Sequence, residues 1–184
     1  MAYTEPQNIS MSILLVGDEA VGKTSFIHRH LIHPFEYKYK PSEGSTTYQV
    51  PLYTNKGWLM LNLKDVASME KNGKFLPGYF KDVDAVIYMF DVSKVGSYYG
   101  LKSWREKVEE HLPGKPFIVC GNKYDLQMTG SDFYGVSKKW KCPYFDISVK
   151  ELYTIFTPLT CLVSTLMRCK VEPRPVSEFL AQLN

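Results

Sequence analysis

Short apolar strands alternating with amphipathic helices predict an α/β fold, with a six-stranded, mainly parallel sheet, one antiparallel hairpin and flanking helices. Three observations carry that expectation. Residues 11–16, 85–90 and 117–120 are brief apolar runs, each closed by a glycine or an acidic residue, as strands covered on both faces require. Helical spacing lies between them, in Phe26, Ile27, His30 and Leu31 and again in Leu101, Trp104, Val108 and Leu112. Residues 46–53 and 58–63 flank Thr54-Asn55-Lys56-Gly57, a hairpin signal.

In chain order, the strand at 11–16 ends at Gly17 and a helix is expected over 24–32. The second hairpin strand alternates at Leu59, Leu61 and Leu63, so one of its faces meets the core. The helix at 97–112 connects the strands at 85–90 and 117–120, and 144–147 is the last strand. A final helix carries Leu159, Leu162, Val163 and Leu166, with Pro158 in its first turn, where a missing N–H costs nothing. Pro173-Arg174-Pro175 opens a tail in which 176–183 can form one or two amphipathic turns. The expected organisation is a tail at 1–10, one domain at 11–170 and a tail at 171–184.

The composition excludes several classes. A chain of 184 residues that is 45% hydrophobic and 22% charged has enough apolar surface for one sizeable core, unlike a disordered or collagenous chain. A net charge of +3 is too weak to point to nucleic acid. The longest apolar run is six residues, far from the ~20 of a membrane span. Residues 1–10 are polar, with no signal-peptide core. Cys120, Cys142, Cys161 and Cys169 form no CxxC pair, so reduced, buried thiols in a cytosolic or nuclear protein are expected.

Two motifs carry chemistry. Gly17-Asp18-Glu19-Ala20-Val21-Gly22-Lys23-Thr24 is a complete GxxxxGK[ST] between a strand and a helix, the context of a P-loop NTPase. Its glycines let backbone N–H groups wrap a polyphosphate at a helix N-terminus. Lys23 reaches the β- and γ-phosphates in such a site, and the Thr24 hydroxyl binds Mg²⁺. About 100 residues on, Asn122-Lys123-Tyr124-Asp125 reads NKxD, and Ser148-Val149-Lys150 follows. A carboxylate in that position accepts from the ring N1–H and the exocyclic amine of guanine. Adenine offers neither donor there and leaves the carboxylate unpaired.

This combination resembles a Ras-superfamily small GTPase over residues 11 to about 170, most like the Ran branch of nuclear-transport GTPases. The residues that carry the likeness include Arg29-His30-Leu31, Phe35-Glu36, Pro51 with Thr54-Asn55-Lys56-Gly57, Met89-Phe90-Asp91-Val92, Cys120 to Lys123 and Tyr144 to Ser148. The resemblance implies a Ras-like G domain binding GTP or GDP with Mg²⁺. Its nucleotide contacts would come from Asp18 to Ser25, Phe35, Ser42, Ser68, Asn122, Lys123, Asp125 and Ser148 to Lys150. Phe35 would lie on one side of the nucleotide and Lys123 along the other. Thr24, Ser42 and, through water, Asp65 would hold the metal. Implied partners are importin- and exportin-type carriers, an exchange factor and a GTPase activator. A monomer without membrane anchor or nucleic acid, in nucleus and cytoplasm, completes the expectation.

Departures from the family pattern bear on catalysis. Where relatives read DTAGQ, this chain reads Asp65-Val66-Ala67-Ser68-Met69. Met69 takes the place of the glutamine that orients attacking water, and a thioether is a poor donor and acceptor. Ser68 replaces a pivoting glycine, Ser42 a threonine, and Glu19 a small residue beside the path of an arginine finger. Lys23, Ser42 and the Met69 position are the catalytic candidates, and turnover is expected to be slow. Two alternatives stay open. One is a trafficking or signalling GTPase of the Rab or Rho kind, although no prenylation cysteine follows Cys169. The other is a GTP-binding interaction module with no meaningful hydrolysis. His28, His30 and His33 are expected on a solvated helix face, Lys138 to Lys141 at an exposed helix end, and Trp58 and Trp104 in or near the core.

Overall fold

Apolar patterning on both faces of the strands yields two cores, one on each side of a single sheet. The computed structural model describes residues 9–31, 45–66, 77–126, 133 and 135–175. Within them run β1 (Ile9–Val16), α1 (Lys23–His30), β2 (Ser45–Thr54), β3 (Gly57–Val66), β4 (Ala85–Asp91), α2 (Val95–His111), β5 (Phe117–Asn122), α3 (Gly135–Trp140), β6 (Tyr144–Asp146) and α4 (Phe156–Met167). The sheet has the order β2-β3-β1-β4-β5-β6. Only the β2–β3 pair is antiparallel, turning at Thr54–Gly57.

Alternation sorts the side chains. Met11, Ile13 and Leu15 of β1 join Ala85, Ile87 and Met89 of β4 under Phe26, Leu159, Leu162 and Val163. Leu14 and Val16 join Val86, Tyr88 and Phe90 under Leu101, Trp104 and Val108 of α2. Burial on both faces is why residues 85–90 read as an unbroken apolar run. Pro158 lies in the first turn of α4, as expected. Trp104 is in the core and Trp58 is half-buried against Tyr53.

Several boundaries and surroundings differ from expectation. β1 begins at Ile9 and β3 runs on to Val66, because the register Ile9↔Leu59 through Leu15↔Asp65 extends pairing past the apolar stretch. α1 ends at His30, where Leu31 N–H bonds back to the carbonyls of Ile27 and His28. A 3-10 turn at Pro77–Phe80 and the short α3 gave no periodic signal of their own. Cys120 is buried, but Cys142, Cys161 and Cys169 are only half-buried free thiols. After α4 the chain lies along the hairpin tip: Asn55 N–H donates to the Glu172 carbonyl, Arg174 N–H to that of Tyr53, and Thr54 bridges Pro173. The turns expected at 176–183 fall outside the described residues.

Candidate nucleotide-binding site

Parallel strands end on a common edge, and in this sheet the order reverses about β1, where α/β proteins collect ligands. The loop from Gly17 to Gly22 leaves β1 at that point. Gly17 has φ +149° and a Cβ there would come within 2.0 Å of the Met89 carbonyl oxygen, so only glycine lets β1 turn beside β4. Gly22 caps α1 in the left-handed region at φ 101°, with Asn122 Nδ2 2.3 Å from where a Cβ would sit. No side chain caps α1, so the N–H groups of its first turn stay directed at the loop. Lys23 folds over this loop, its ammonium donating to the Gly17 and Asp18 carbonyls at 2.8 and 3.0 Å. Burial pushes the Lys23 ammonium below its usual 10.5, against the pull of the Asp65, Asp18 and Glu19 carboxylates. A polyphosphate here would meet an already desolvated cation and a helix N-terminus.

The other half of the site is assembled from β5, β6 and their loops. Asn122 is buried and spans both halves: its amide donates to the Val21 carbonyl at 2.8 Å, and its Oδ1 accepts from Val149 N–H at 3.2 Å. Lys123, in the left-handed region at φ 64°, donates to the Ala20 carbonyl at 2.9 Å and pairs with Asp91 at 2.6 Å. Its alkyl stem therefore crosses the mouth of the phosphate loop. Asp125 accepts from the Ser148 hydroxyl at 2.6 Å, and the Lys150 ammonium lies 3.9 Å from its other oxygen. The Asp125 side chain is only 14% exposed, so it is held in one orientation as an acceptor. Arg29 of α1 donates to the Val149 carbonyl at 3.2 Å, tying the phosphate helix to the 148–150 loop. An acceptor at Asp125 and a lysine-covered glycine loop, joined through Asn122 and Lys123, suit a purine nucleotide.

The family model of the Ras family matches residues 12–168, most of the chain. The chain belongs to the Ras family of small GTPases. It is a small GTP-binding switch on a Ras-like G domain, and GTPase activity in general comes with the family. Members of this family bind GTP or GDP, usually with Mg²⁺. The residues here fit a hard cation: the Thr24 hydroxyl bonds Asp65 Oδ2, while Asp65 Oδ1 is buried with no hydrogen-bond partner. An acceptor oxygen buried without a donor is costly, and a hydrated Mg²⁺ supplies donors through its water. Thr24 would bind the ion directly and Asp65 through water. The ion would neutralise phosphate charge.

Of the residues anticipated from sequence, hydrogen bonds link the phosphate loop and Thr24 to Asp65, Asn122 and Lys123, and Asp125 and Val149 to Ser148 and Asn122, with Lys150 beside Asp125 and Ser25 next along α1. Phe35, Ser42, Ser68 and Met69 lie outside the described residues. Glu19 is exposed on the loop. His30 corrects an expectation: it is 9% exposed, with Nδ1 donating to the Phe26 carbonyl and the ring between Phe26 and Phe156. Phe156 of α4 packs on that face of α1, the face that the spacing of Phe26, Ile27, His30 and Leu31 marks as apolar. One carboxylate was missed as a site builder: Asp91 is 1% exposed and directs Lys123. A signal for it existed, since an acidic residue ends the most apolar strand. Asp18, anticipated on the phosphate loop, accepts from the Trp104 indole N–H at 2.9 Å.

Proposed function

We propose that this chain is a Ran-like, guanine-specific switch of nucleocytoplasmic transport whose GTP form loads importin- or exportin-type carriers and whose hydrolysis is slow. The observation that carries base choice is the Asp125 carboxylate, fixed by Ser148 and Lys150 as a pure acceptor. Guanine's N1–H and amine are donors to its remaining acceptor capacity. Adenine presents a lone pair there and offers it no such donors. The Ran-like assignment is supported by the ordered set of short matches from Arg29-His30-Leu31 to Tyr144-Phe145-Asp146-Ile147-Ser148. Slow hydrolysis is supported by Met69 in place of a water-orienting glutamine and by Glu19 beside the path of an activator's arginine.

On this proposal the protein is a monomer that passes between nucleus and cytoplasm and answers to an exchange factor and an activator. Mg²⁺ and GTP or GDP are its ligands. The test is capture of carriers from cell extract by protein loaded with GTP, GDP or ADP. Importin-family carriers retained by the GTP form alone are the expected result. Retention of Rab- or Rho-type effectors in their place overturns the transport assignment. ADP binding comparable to GDP overturns the guanine assignment. The Ser68-Met69 pair also favours a second reading, a GTP-binding interaction module that does not turn over, which single-turnover measurements separate from the first.

A further inference from the structure

In α2, Gly100 and Trp104 are one helical turn apart and face the phosphate loop. The Trp104 indole N–H donates to Asp18 Oδ1 at 2.9 Å. A Cβ on Gly100 would lie 2.5 Å from Asp18 Oδ2 and 3.0 Å from Oδ1 and Cγ. The carboxylate thus occupies a notch that exists because residue 100 has no side chain, and the ring that closes the notch is 1% exposed. Asp18 meanwhile gives its own carbonyl to the Lys23 ammonium at 3.0 Å. Two opposite demands meet at one residue. Its main chain helps to shape the cradle, and its side chain brings a negative charge to a place where phosphates would bind.

We infer that Gly100 and Trp104 form a receptacle on α2 that parks the Asp18 carboxylate away from the polyphosphate, making Trp104 a positioning residue for the terminal phosphates. Parked, the carboxylate is neutralised in part by the indole dipole. Released, it competes with the β- and γ-phosphates for the Lys23 ammonium and repels them. Asp18 is one of the carboxylates whose charge already acts on that ammonium. GTP carries more negative charge than GDP, so it suffers more from the release. The packing of α2 on the sheet thereby sets the preference between the two nucleotides. This inference rests on the guanine-nucleotide reading of the site.

The experiment compares GTP and GDP affinities of six proteins in Mg²⁺: the unaltered chain, Trp104→Phe, Gly100→Ala, Asp18→Asn, and Asp18→Asn combined with each of the first two changes. Trp104→Phe removes the donor and keeps a ring in the core. Gly100→Ala fills the notch while favouring the helix, so it serves where the first variant folds poorly. Each single change is expected to weaken GTP binding roughly tenfold, the scale of a lost charge-assisted hydrogen bond, and to lower the GTP-to-GDP affinity ratio. In the Asp18→Asn background neither change moves the ratio. An unmoved ratio in both single variants overturns the inference, as does an equal shift with and without the Asp18 charge, which marks a merely structural role. In those outcomes the unaltered chain still binds guanine nucleotides. Failure of the unaltered chain to bind them overturns the functional proposal itself, and the inference with it.

Discussion

Asp125 and Asp91 show how the partner of a carboxylate decides its task. The first is aimed outward by a hydroxyl and a distant ammonium, which leaves acceptor capacity for a ligand. Asp125→Asn is expected to weaken GDP by about 3 kcal/mol, roughly 10²-fold, because the amide presents a donor to guanine's donors. Xanthosine diphosphate should bind the same variant better than GDP does, and competition titration reads both. Asp91 points inward. Its oxygens are consumed by Lys123 and by the Ser93 backbone and hydroxyl, at 2.6 to 2.9 Å. Asp91→Ala leaves the Lys123 ammonium without its buried counter-charge, and a loss of about 3 kcal/mol in unfolding free energy is expected. Urea denaturation at neutral pH measures it, and a midpoint shift equal to that of a surface alanine substitution would refute this role.

Among the elements, α1 begins at Lys23 of the phosphate loop and ends at a buried histidine. Burial holds His30 below its ordinary 6.5, with the Phe26 and Ile155 carbonyls opposing in part. The folded protein therefore disfavours the imidazolium, and below about pH 6.5 the unfolded chain binds more protons. His30 should leave stability intact above that pH and erode it as pH falls from there towards the folded-state value. The slope cannot exceed about 1.4 kcal/mol per pH unit for one proton. Denaturant midpoints between pH 7.5 and 5 in the unaltered chain and in His30→Phe test this: the difference between the two should shrink or reverse in acid. Parallel curves would exclude His30 as the source.

Among the described residues, hydrogen bonds join the loops that follow β1, β4, β5 and β6, and the proposed slow turnover rests on residues where this chain departs from its family. Phosphoryl transfer asks the protein to position water and neutralise charge. Under the proposed function, Met69 positions no water, and Glu19, exposed on the phosphate loop, opposes an arriving arginine. An arginine finger is worth about 10³–10⁵ in rate, so its obstruction should outweigh the milder Ser42 and Ser68 changes. Met69→Gln combined with Glu19→Gly should raise single-turnover GTP hydrolysis, most strongly with a Ran-type activator present. If the unaltered chain already matches the double variant, another group positions the water and the account of slow hydrolysis falls.

The alternating elements, the hairpin turn, the phosphate loop and the NKxD and SVK segments were all legible in the chain. Each depends on contiguous residues: periodicity records which faces are buried, and the glycines of the loop record backbone torsions that other residues resist. Partner choice between distant side chains has no such local record. Thr24 finds Asp65 across 41 positions, Lys123 finds Asp91 across 32 and Trp104 finds Asp18 across 86. Strand register decides the first two, since Leu15↔Asp65 and Asp91↔Asn122 place each carboxylate at the ends that meet the loops. Helix packing decides the third, and likewise turns His30 from an expected surface residue into a core one. Contiguous residues recorded the candidate phosphate loop and the fold that carries it. Where the surrounding charges rest is a matter of tertiary packing, because it depends on which helix covers which face of the sheet.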